Sequence, residues 1–353
     1  MACKVTISLL VLLSAGQAFN LRPPGVSPNK PGTWAPGVCL RPTWSSHIPR
    51  SASSTPLLPF DGFQPPLKDP VAAYDSAVKQ GEKKANEPAP IIFLLGIQAG
   101  LQVGIGAAMA VATMAGVPGI QAKDPGLAKL IYGFCGLPCG LLMTATMGTM
   151  LFTGNTAVVS VALMEKKIKL QQLVKTWVWS YLGNMVGAGF LAALCTYAGV
   201  FSSSAAAIAS VAASKTAMPF GVAVARGILC NWLVTTAVWI AQAAADLVSK
   251  ATAIVLIITI FASLGFEHSV ANMFVGPFGA LNGGPSFLHF FLRNLIPVTI
   301  GNIIAGVVMV AFANYLSFET EFGLRGASGS CVRRGCQKRE MSTEVVACIF
   351  TFQ

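Results

Sequence analysis

The fold is decided by residues 251–275, which read ATAIVLIITIFASLGFEHSVANMFV. This stretch is long enough to cross the hydrocarbon core of a membrane as a helix, which takes about 20 apolar residues. Near its middle it carries the polar run Gly265-Phe266-Glu267-His268. Ionisable side chains at membrane depth are costly and usually face a cavity, and irregular backbone is tolerated there only beside a cavity or under protein. The stretch therefore predicts a broken membrane helix with a polar site at the break.

The composition places the rest of the chain in a membrane as well. Of the 353 residues, 54% are hydrophobic and 10% are charged, and the mean hydropathy is +0.65. A soluble domain carries about a quarter of its residues as charges, whereas the stretch 88–317 contains four acidic residues. We predict an all-α integral membrane protein with six transmembrane helices, near residues 90–116, 128–163, 171–200, 218–244, 251–275 and 292–317.

The third and sixth predicted helices carry near-copies of one hexapeptide. These are GNMVGA at 183–188 and GNIIAG at 301–306, which lie 118 residues apart. A second interruption, FTGN at 152–155, precedes FEHS at 266–269 by 114 residues. An odd number of helices in each repeat inserts the second copy upside down, and matching broken helices in inverted repeats mark a substrate site near the midplane. We predict two inverted three-helix repeats with broken second and fifth helices.

The N-terminal region has the composition of a targeting sequence. Residues 1–18 have the form of a signal peptide, and residues 19–60 are rich in Ser, Pro and basic side chains without one acidic residue. Together they resemble the bipartite plastid presequence of algae with secondary plastids, which predicts the plastid (chloroplast) envelope. The alternative is a disordered N-terminus behind a secretory signal and a plasma-membrane location. The other predicted divisions are an amphipathic segment at 61–87, the six-helix domain at 88–317 and a disordered tail at 318–353.

The net charge of +11 does not indicate a nucleic-acid partner. The basic residues lie mainly in the leader, at the turn 166–169 and in the tail, without the interleaved aromatics of a strand-binding groove. Basic residues beside apolar helices orient membrane proteins, so we predict the turn 166–169 on the cytoplasmic or stromal side. The nine cysteines lack zinc or redox spacing and no G-x-x-x-x-G-K-[ST] loop is present, so neither a metal nor another cofactor is predicted.

Five segments are similar to motifs of one known family: LFT at 151–153, GNMVG at 183–187, GILCNWLV at 227–234, GFEHSVANMF at 265–274 and NLIPVTIGNII at 294–304. In this order, between about residue 70 and residue 317, they resemble the formate/nitrite transporters. The resemblance implies an aquaporin-like protomer with its own pore, assembled as a homopentamer in a lipid bilayer. It also implies that the protein carries small monovalent anions, nitrite or formate, and is not an enzyme.

The same resemblance assigns side chains to the transport pathway. It places His268 at the centre of the pore within reach of Thr153 and Asn231, and Lys215 in the outer vestibule, where a cation concentrates anions. Further pathway residues are expected to be Leu141, Leu151, Phe152, Val234 and Phe261. All of these except Leu151 match positions that form apolar constrictions on either side of the histidine. Structural support of the pore is expected from Glu267, Asn272, Asn184 and Asn302.

Two positions depart from the family pattern. Leu137 stands where some members have a pore-lining Phe, so we expect a wider outer constriction. Arg226, inside the fourth predicted helix, is expected to be a buried cation. It would either add to the field that attracts anions or pair with a carboxylate of a neighbouring subunit.

The residues suggest a proton-linked mechanism. A bare anion in an apolar constriction costs on the order of several kcal/mol, which hydrogen bonds or a proton can offset. We hypothesise that Lys215 attracts the anion, that desolvation raises the pKa of the substrate, and that His268 supports passage of its protonated or hydrogen-bonded form. A plastid location favours nitrite, which photosynthetic cells reduce inside that organelle. The preferred anion, and the choice between a channel and a proton-coupled carrier, stay open.

The sequence leaves three alternative functions. A water or glycerol channel of the aquaporin type should show two Asn-Pro-Ala motifs, and the sequence has none. An intramembrane protease could recruit Ser263 or Ser269 near His268, but no G-x-S-x-G motif lies inside a predicted helix. A membrane scaffold without transport activity is the third alternative, and the matching pore residues argue against it.

Overall fold

The computed structural model describes residues 67–318. The predicted signal peptide 1–18, the leader 19–60 and residues 319–353 of the predicted tail lie outside this range. Within it the chain is helical throughout, apart from turns and one isolated antiparallel bridge between Leu67 and Ala244. The predicted all-α fold is therefore confirmed.

The helices are numbered here in chain order. They are α1 (Pro70–Asn86), α2 (Ala89–Ala115), α3 (Pro118–Lys123), α4 (Pro125–Phe134), α5 (Leu137–Met147), α6 (Phe152–Met164), α7 (Leu170–Tyr197), α8 (Ala205–Thr216), α9 (Phe220–Ala243), α10 (Leu247–Ser263), α11 (Ser269–Leu281) and α12 (Phe287–Phe318). A single 3-10 turn, Ser202–Ser204, precedes α8, and α12 includes two π-helical stretches at Phe291–Leu295 and Ala305–Phe312.

Five helical segments within residues 67–318 are long and apolar enough to cross a membrane: α2, Pro125–Met147 (α4 with α5), α7, α9 and α12. The predicted second helix corresponds to α4, α5 and α6 in succession, and the predicted fifth to α10 and α11. The remaining apolar helices α6, α10 and α11 are shorter. The predicted count of six membrane crossings is consistent with these helices, but helix length alone does not establish it.

Glycines in the left-handed region end the helices at both breaks. Gly148, with φ of 68°, follows α5, and Gly265, with φ of 71°, lies between α10 and α11. Only glycine adopts this region without a steric penalty from Cβ. The first break is therefore at residues 148–151, upstream of the predicted 152–155, which form the first turn of α6. The two breaks are 117 residues apart rather than the predicted 114.

Close backbone contacts show the internal duplication directly. A Cβ added to Gly183 of α7 would lie 2.8 Å from the Cα of Gly96 in α2. In the second half, a Cβ added to Gly301 of α12 would lie 3.0 Å from the Cα of Gly227 in α9. Lipid gives helices no hydrophobic drive to associate, so packing at this range stabilises each pair through dispersion contacts.

The duplication also includes α1. Lys84 near the end of α1 precedes Gly96 by the same twelve residues that separate Lys215, near the end of α8, from Gly227. Helix α1 packs against α6 and α9, and its Tyr74, Ala77 and Ala85 are fully buried. Helix α1, which lies in the segment 61–87 that was predicted to be amphipathic, is thus the first element of the first repeat.

Candidate transport site

His268 lies at the start of α11 with 6% of its surface exposed. Its Nδ1 accepts a hydrogen bond from the backbone N–H of Ala271 at 3.2 Å, so Nδ1 carries no proton. The remaining proton of a neutral imidazole is then on Nε2, which lies 2.9 Å from the hydroxyl oxygen of Thr153. Because the ring donates to Thr153, the hydroxyl hydrogen of Thr153 is left to donate to a third group.

Thr153 belongs to the first repeat and His268 to the second, so the two helix breaks meet at this contact. Both side chains are buried. The structure thus brings together the two residues that the sequence places at the centre of the pathway, 115 positions apart in the chain.

Asn231 of α9 lies against the same two breaks. Its Nδ2 is 2.5 Å from the carbonyl oxygen of Asn302, 3.0 Å from the hydroxyl of Thr156 and 3.4 Å from the carbonyl oxygen of Thr153. These oxygens require a donor, which sets the orientation of the amide. The Oδ1 atom of Asn231 is buried and has no hydrogen-bond partner among the described residues. The site therefore contains an unpaired buried acceptor on the residue whose amide nitrogen contacts the carbonyl oxygen of Thr153.

The predicted apolar residues are all buried in one hydrophobic cluster. Leu141, Leu151, Phe152, Val234 and Phe261 are each between 2% and 4% exposed. The Phe261 ring is 6.1 Å from the imidazole of His268, and the Phe152 ring packs edge-on against Tyr181 at 4.9 Å. Leu137 joins the same cluster, at the start of α5.

Lys215 forms an ion pair that the sequence analysis did not anticipate. Its ammonium is 2.7 Å from one carboxylate oxygen of Glu267. The other carboxylate oxygen accepts hydrogen bonds from Asn272 at 2.7 Å and from Asn294 at 3.2 Å. Glu267 was expected to support the pore structurally, without an ionic partner being named.

Asn294 was missing from the expected site. It donates to the carboxylate of Glu267 and to the carbonyl oxygen of Lys215, and it accepts from Asn272. It begins the motif NLIPVTIGNII, so its place in that motif was the available signal.

The two predicted support residues Asn184 and Asn302 each hold the start of a short helix. The Oδ1 atom of Asn184 accepts from the backbone N–H of Phe152 at 2.9 Å. The Oδ1 atom of Asn302 accepts from the backbone N–H of Ser269 at 3.0 Å. Both asparagines are fully buried.

Lys84 is a second lysine that the sequence analysis did not assign to the site. Its ammonium is 3.1 Å from the carbonyl oxygen of Thr149 and 3.0 Å from the Oδ1 atom of Asn155. It lies in the wall of a cavity of about 30 Å³, which Leu141 and Leu151 also line. Burial lowers the pKa of the Lys84 ammonium to about 8. The available signal was its spacing from Gly96, which repeats that of Lys215 from Gly227.

Arg226 is not the buried cation that was expected. Its side chain is exposed, and its guanidinium contacts the sulfur of Met218 at 3.4 Å. Its backbone carbonyl accepts a hydrogen bond from the N–H of Glu267 at 3.2 Å. Between residues 67 and 318, no cluster of His, Cys, Asp or Glu could hold a metal ion.

Two equivalent halves, each with a broken helix, meet at a buried histidine inside an apolar helical protein. This arrangement defines a membrane transport protein of the inverted-repeat class. The family model described as formate/nitrite transporter matches residues 71–316. The chain therefore belongs to the formate/nitrite transporter family, whose members are channels and transporters rather than enzymes.

The relatives that the chain resembles agree with this assignment. A probable formate transporter of Methanothermobacter thermautotrophicus is 32% identical, over 72% of this chain and 98% of the relative. The formate channel FocA of Escherichia coli K12 is also 32% identical, over 74% of this chain and 97% of the relative. A solved structure described as an FNT family ion channel superposes with a TM-score of 0.60 and 28% identity, covering 70% and 98% of the two chains.

Another solved structure, described as a pentameric formate channel with formate bound, superposes with a TM-score of 0.56 and 29% identity. The match covers 65% of this chain and 96% of that one.

Proposed function

We propose that this protein carries formate and nitrite across a membrane together with a proton. The observation that carries the proposal is the contact of His268 with Thr153, together with the unpaired oxygen of Asn231, whose amide nitrogen contacts the carbonyl oxygen of Thr153. The hydroxyl of Thr153 is available to donate, and the Oδ1 atom of Asn231 is available to accept. The protonated acid of formate or nitrite has one oxygen that accepts and one O–H group that donates, so it complements both. A bare anion would complement the donor and leave the amide oxygen unpaired.

The apolar residues around the site favour the protonated form of the substrate. Transfer of an anion past Phe261 and Phe152 strips its water, and this desolvation raises the pKa of the substrate carboxylate or nitrite. Protonation then removes the charge at the step where charge is most costly. The proton comes with the substrate, while His268 stays neutral as its hydrogen bonds with Ala271 and Thr153 favour.

Lys215 supplies the attraction that brings an anion to one end of this path. Its ammonium is held by Glu267 with 13% of the side chain exposed, so it stays charged while retaining contact with solvent. A charged group at the mouth of a low-dielectric passage raises the local concentration of oppositely charged solutes. Transport then runs on the gradients of the anion and the proton.

We further propose a homopentamer in the plastid envelope with nitrite as the physiological cargo. The pentamer is supported by the solved relative described as a pentameric formate channel. The location is supported by the acid-free leader at residues 1–60. Fusion of residues 1–60 to a fluorescent protein in an alga with secondary plastids tests the location, and a secretory or plasma-membrane signal would contradict it.

The transport proposal is tested in liposomes that contain the full chain. We expect formate and nitrite uptake that rises with an inward proton gradient and is lost in His268→Phe. The matched control is His289→Phe, at an exposed histidine outside the site, which should transport as the wild type does. Equal uptake in both variants would remove His268 from the mechanism. Water flux without anion uptake would show that the fold serves a different solute.

A further inference from the structure

The side chain of Phe152 lies against two aromatic rings of α7. Its ring meets the ring of Tyr181 edge-on, with 4.9 Å between the ring centroids and 81° between the ring planes. It meets the ring of Trp177, one helical turn earlier in α7, at 6.4 Å and 78°. Edge-on packing at these distances is a favoured arrangement of aromatic pairs. The two rings therefore restrict the positions that the Phe152 ring can take.

The backbone of Phe152 is held by the same helix. Its N–H donates to the Oδ1 atom of Asn184, three residues after Tyr181, at 2.9 Å. Phe152 is 3% exposed, and the residue that follows it is Thr153, whose hydroxyl contacts His268. A shift of the Phe152 ring would therefore change the packing directly beside the central contact.

The two rings of α7 differ in how they are fixed. The hydroxyl oxygen of Tyr181 is 3.1 Å from the hydroxyl oxygen of Thr299 in α12, so the two groups form a hydrogen bond. The Nε1 atom of Trp177 is buried and has no hydrogen-bond partner among the described residues. Packing sets the position of the Trp177 ring, whereas the Tyr181 ring is also tethered to a helix of the second repeat.

The tether joins equivalent positions of the two repeats. Tyr181 lies two residues before Gly183, and Thr299 lies two residues before Gly301. These are the glycines at which α7 and α12 pack closely against α2 and α9. In an arrangement with two-fold pseudosymmetry, equivalent residues can contact each other only near the axis that relates the halves. The hydrogen bond between Tyr181 and Thr299 therefore lies where the two repeats face each other.

The two repeats fill these positions with side chains of different size. The N–H of Phe152 and the N–H of Ser269 are each accepted by the asparagine that holds the start of their helix, so these two residues are equivalent. The first repeat thus has Phe152 and Tyr181 where the second has Ser269 and Thr299. The first repeat supplies the bulk, and the second supplies a short side chain whose hydroxyl reaches the tyrosine.

We propose that Tyr181 is a positioning residue that sets the size of the anions that pass: tethered to Thr299, it holds the Phe152 ring in place. The proposal rests on the transport function proposed above. Acetate is formate with a methyl group in place of its hydrogen, so it carries the same charge and needs more room. The Phe152 ring cannot give that room, because a movement toward α7 would press it into the tethered Tyr181 ring. Formate and nitrite therefore pass more readily than acetate.

The first test compares acetate with formate in liposomes that contain the full-length protein. The readout is the ratio of the two initial uptake rates at one pH, after subtraction of the uptake by empty liposomes. A smaller amount of folded protein lowers both rates and leaves the ratio unchanged, so the ratio reports the passage itself. We expect the ratio to rise about fivefold in Tyr181→Leu, which is roughly the effect of one lost edge-on aromatic contact on a barrier.

The tether is tested from both of its ends. Tyr181→Phe and Thr299→Val each remove the hydrogen bond and keep the size of the side chain, so each should raise the ratio. The double variant should raise it no further, because both changes remove the same interaction. Thr299→Ser keeps the hydroxyl and should keep the wild-type ratio. The matched control is Tyr197→Phe, at a tyrosine of the same helix that is 93% exposed.

The outcomes separate this proposal from the transport function. A wild-type ratio in Tyr181→Leu, with formate uptake intact, overturns the role of Tyr181. Effects of Tyr181→Phe and Thr299→Val that add up in the double variant overturn the tether. An absence of formate uptake by the wild-type protein overturns the transport function instead.

A second measurement does not depend on transport. The full-length protein is labelled with 4-fluorophenylalanine, and the ¹⁹F signal that is absent from Phe152→Leu is assigned to Phe152. We expect Thr299→Val, which leaves both rings in place, to shift or broaden this signal, because a Tyr181 ring without its tether moves against Phe152. Tyr197→Phe should leave the signal unchanged. A Phe152 signal of wild-type position and width in Thr299→Val overturns the proposal.

Discussion

Asn184 and Asn302 make the same three hydrogen bonds at the two helix breaks. Each Oδ1 accepts from the first N–H of the short helix, and each Nδ2 donates to two backbone carbonyls at distances from 2.8 to 3.1 Å. The carbonyls correspond between the repeats: they belong to Gly96 and Met150 in the first and to Gly227 and Glu267 in the second. One buried amide therefore replaces the helical hydrogen bonds that each break removes.

Replacing Asn302 by Ala should destabilise the protein strongly. The change leaves the N–H of Ser269 and the carbonyl oxygen of Glu267 without these partners where water is scarce, and it removes an additional hydrogen bond to the helical carbonyl of Gly227. Each unpaired buried group costs about 1–3 kcal/mol, so we expect a loss of roughly 3 kcal/mol and a clearly lower melting temperature in detergent. The control is Asn314→Ala, which removes one bond to the carbonyl of Val310 in its own helix. Equal melting temperatures would show that water or backbone shifts replace the amide.

Replacing Gly183 by Ala should separate α2 from α7. A methyl group there would lie 2.5 Å from the carbonyl oxygen of Phe93, which is rigid backbone. We expect a low yield of monodisperse protein in size-exclusion chromatography. Lipid supplies no hydrophobic driving force that would keep α2 and α7 together once their close packing is lost. Gly189→Ala in the same helix is the matched control, since nothing lies within 4 Å of its added Cβ. If both variants elute alike, the close approach is not needed.

Much of this architecture could be predicted because its signals are local. Apolar length predicts helices, and the polar run at Glu267 and His268 predicts the break in the fifth. The copied hexapeptides around Asn184 and Asn302 predict the duplication. The exact position of the first break was missed, because the residues of a break and of the following helical turn have the same small, polar composition. Gly148 was the better marker, since its left-handed backbone ends α5.

The relationships that were missed depend on three-dimensional placement. The pairing of Lys215 with Glu267 joins residues 52 positions apart, and no periodicity predicts it. Arg226 was expected to be buried, in the anion pathway or against a neighbouring subunit, because the face on which it lies is known only once the packing of α9 is known. Lys84 was treated as part of a peripheral helix, because the weak sequence similarity between α1 and α8 hides their equivalence. The spacing from each lysine to its glycine would have shown it.

Replacing Thr153 by Val should reduce transport while leaving the fold intact. Valine has the shape of threonine but cannot accept from His268 or donate to the substrate. The loss of one buried hydrogen bond in the transition state, about 1.4 kcal/mol, corresponds to a roughly tenfold lower initial rate of formate uptake. Thr153→Ser keeps the hydroxyl and should retain most of the rate. Thr252→Val, at an exposed threonine bonded to its own helix, is the control. Wild-type uptake by Thr153→Val would exclude a role for the hydroxyl.

The pair of Lys215 and Glu267 should show strong coupling in a double-mutant cycle. Glu267→Gln leaves a largely buried ammonium without its carboxylate, and Lys215→Met leaves a carboxylate that is 4% exposed without its ammonium. Removing one partner of a buried ion pair destabilises a protein by about 3–5 kcal/mol. Because the lysine is partly exposed, we expect each single variant to lose stability near the lower end of this range. The double variant has no unpaired charge, so its loss of melting temperature should be much smaller than the sum of the two. Additive losses would mean that the two charges do not stabilise each other, and Glu267 would then act only through Asn272 and Asn294.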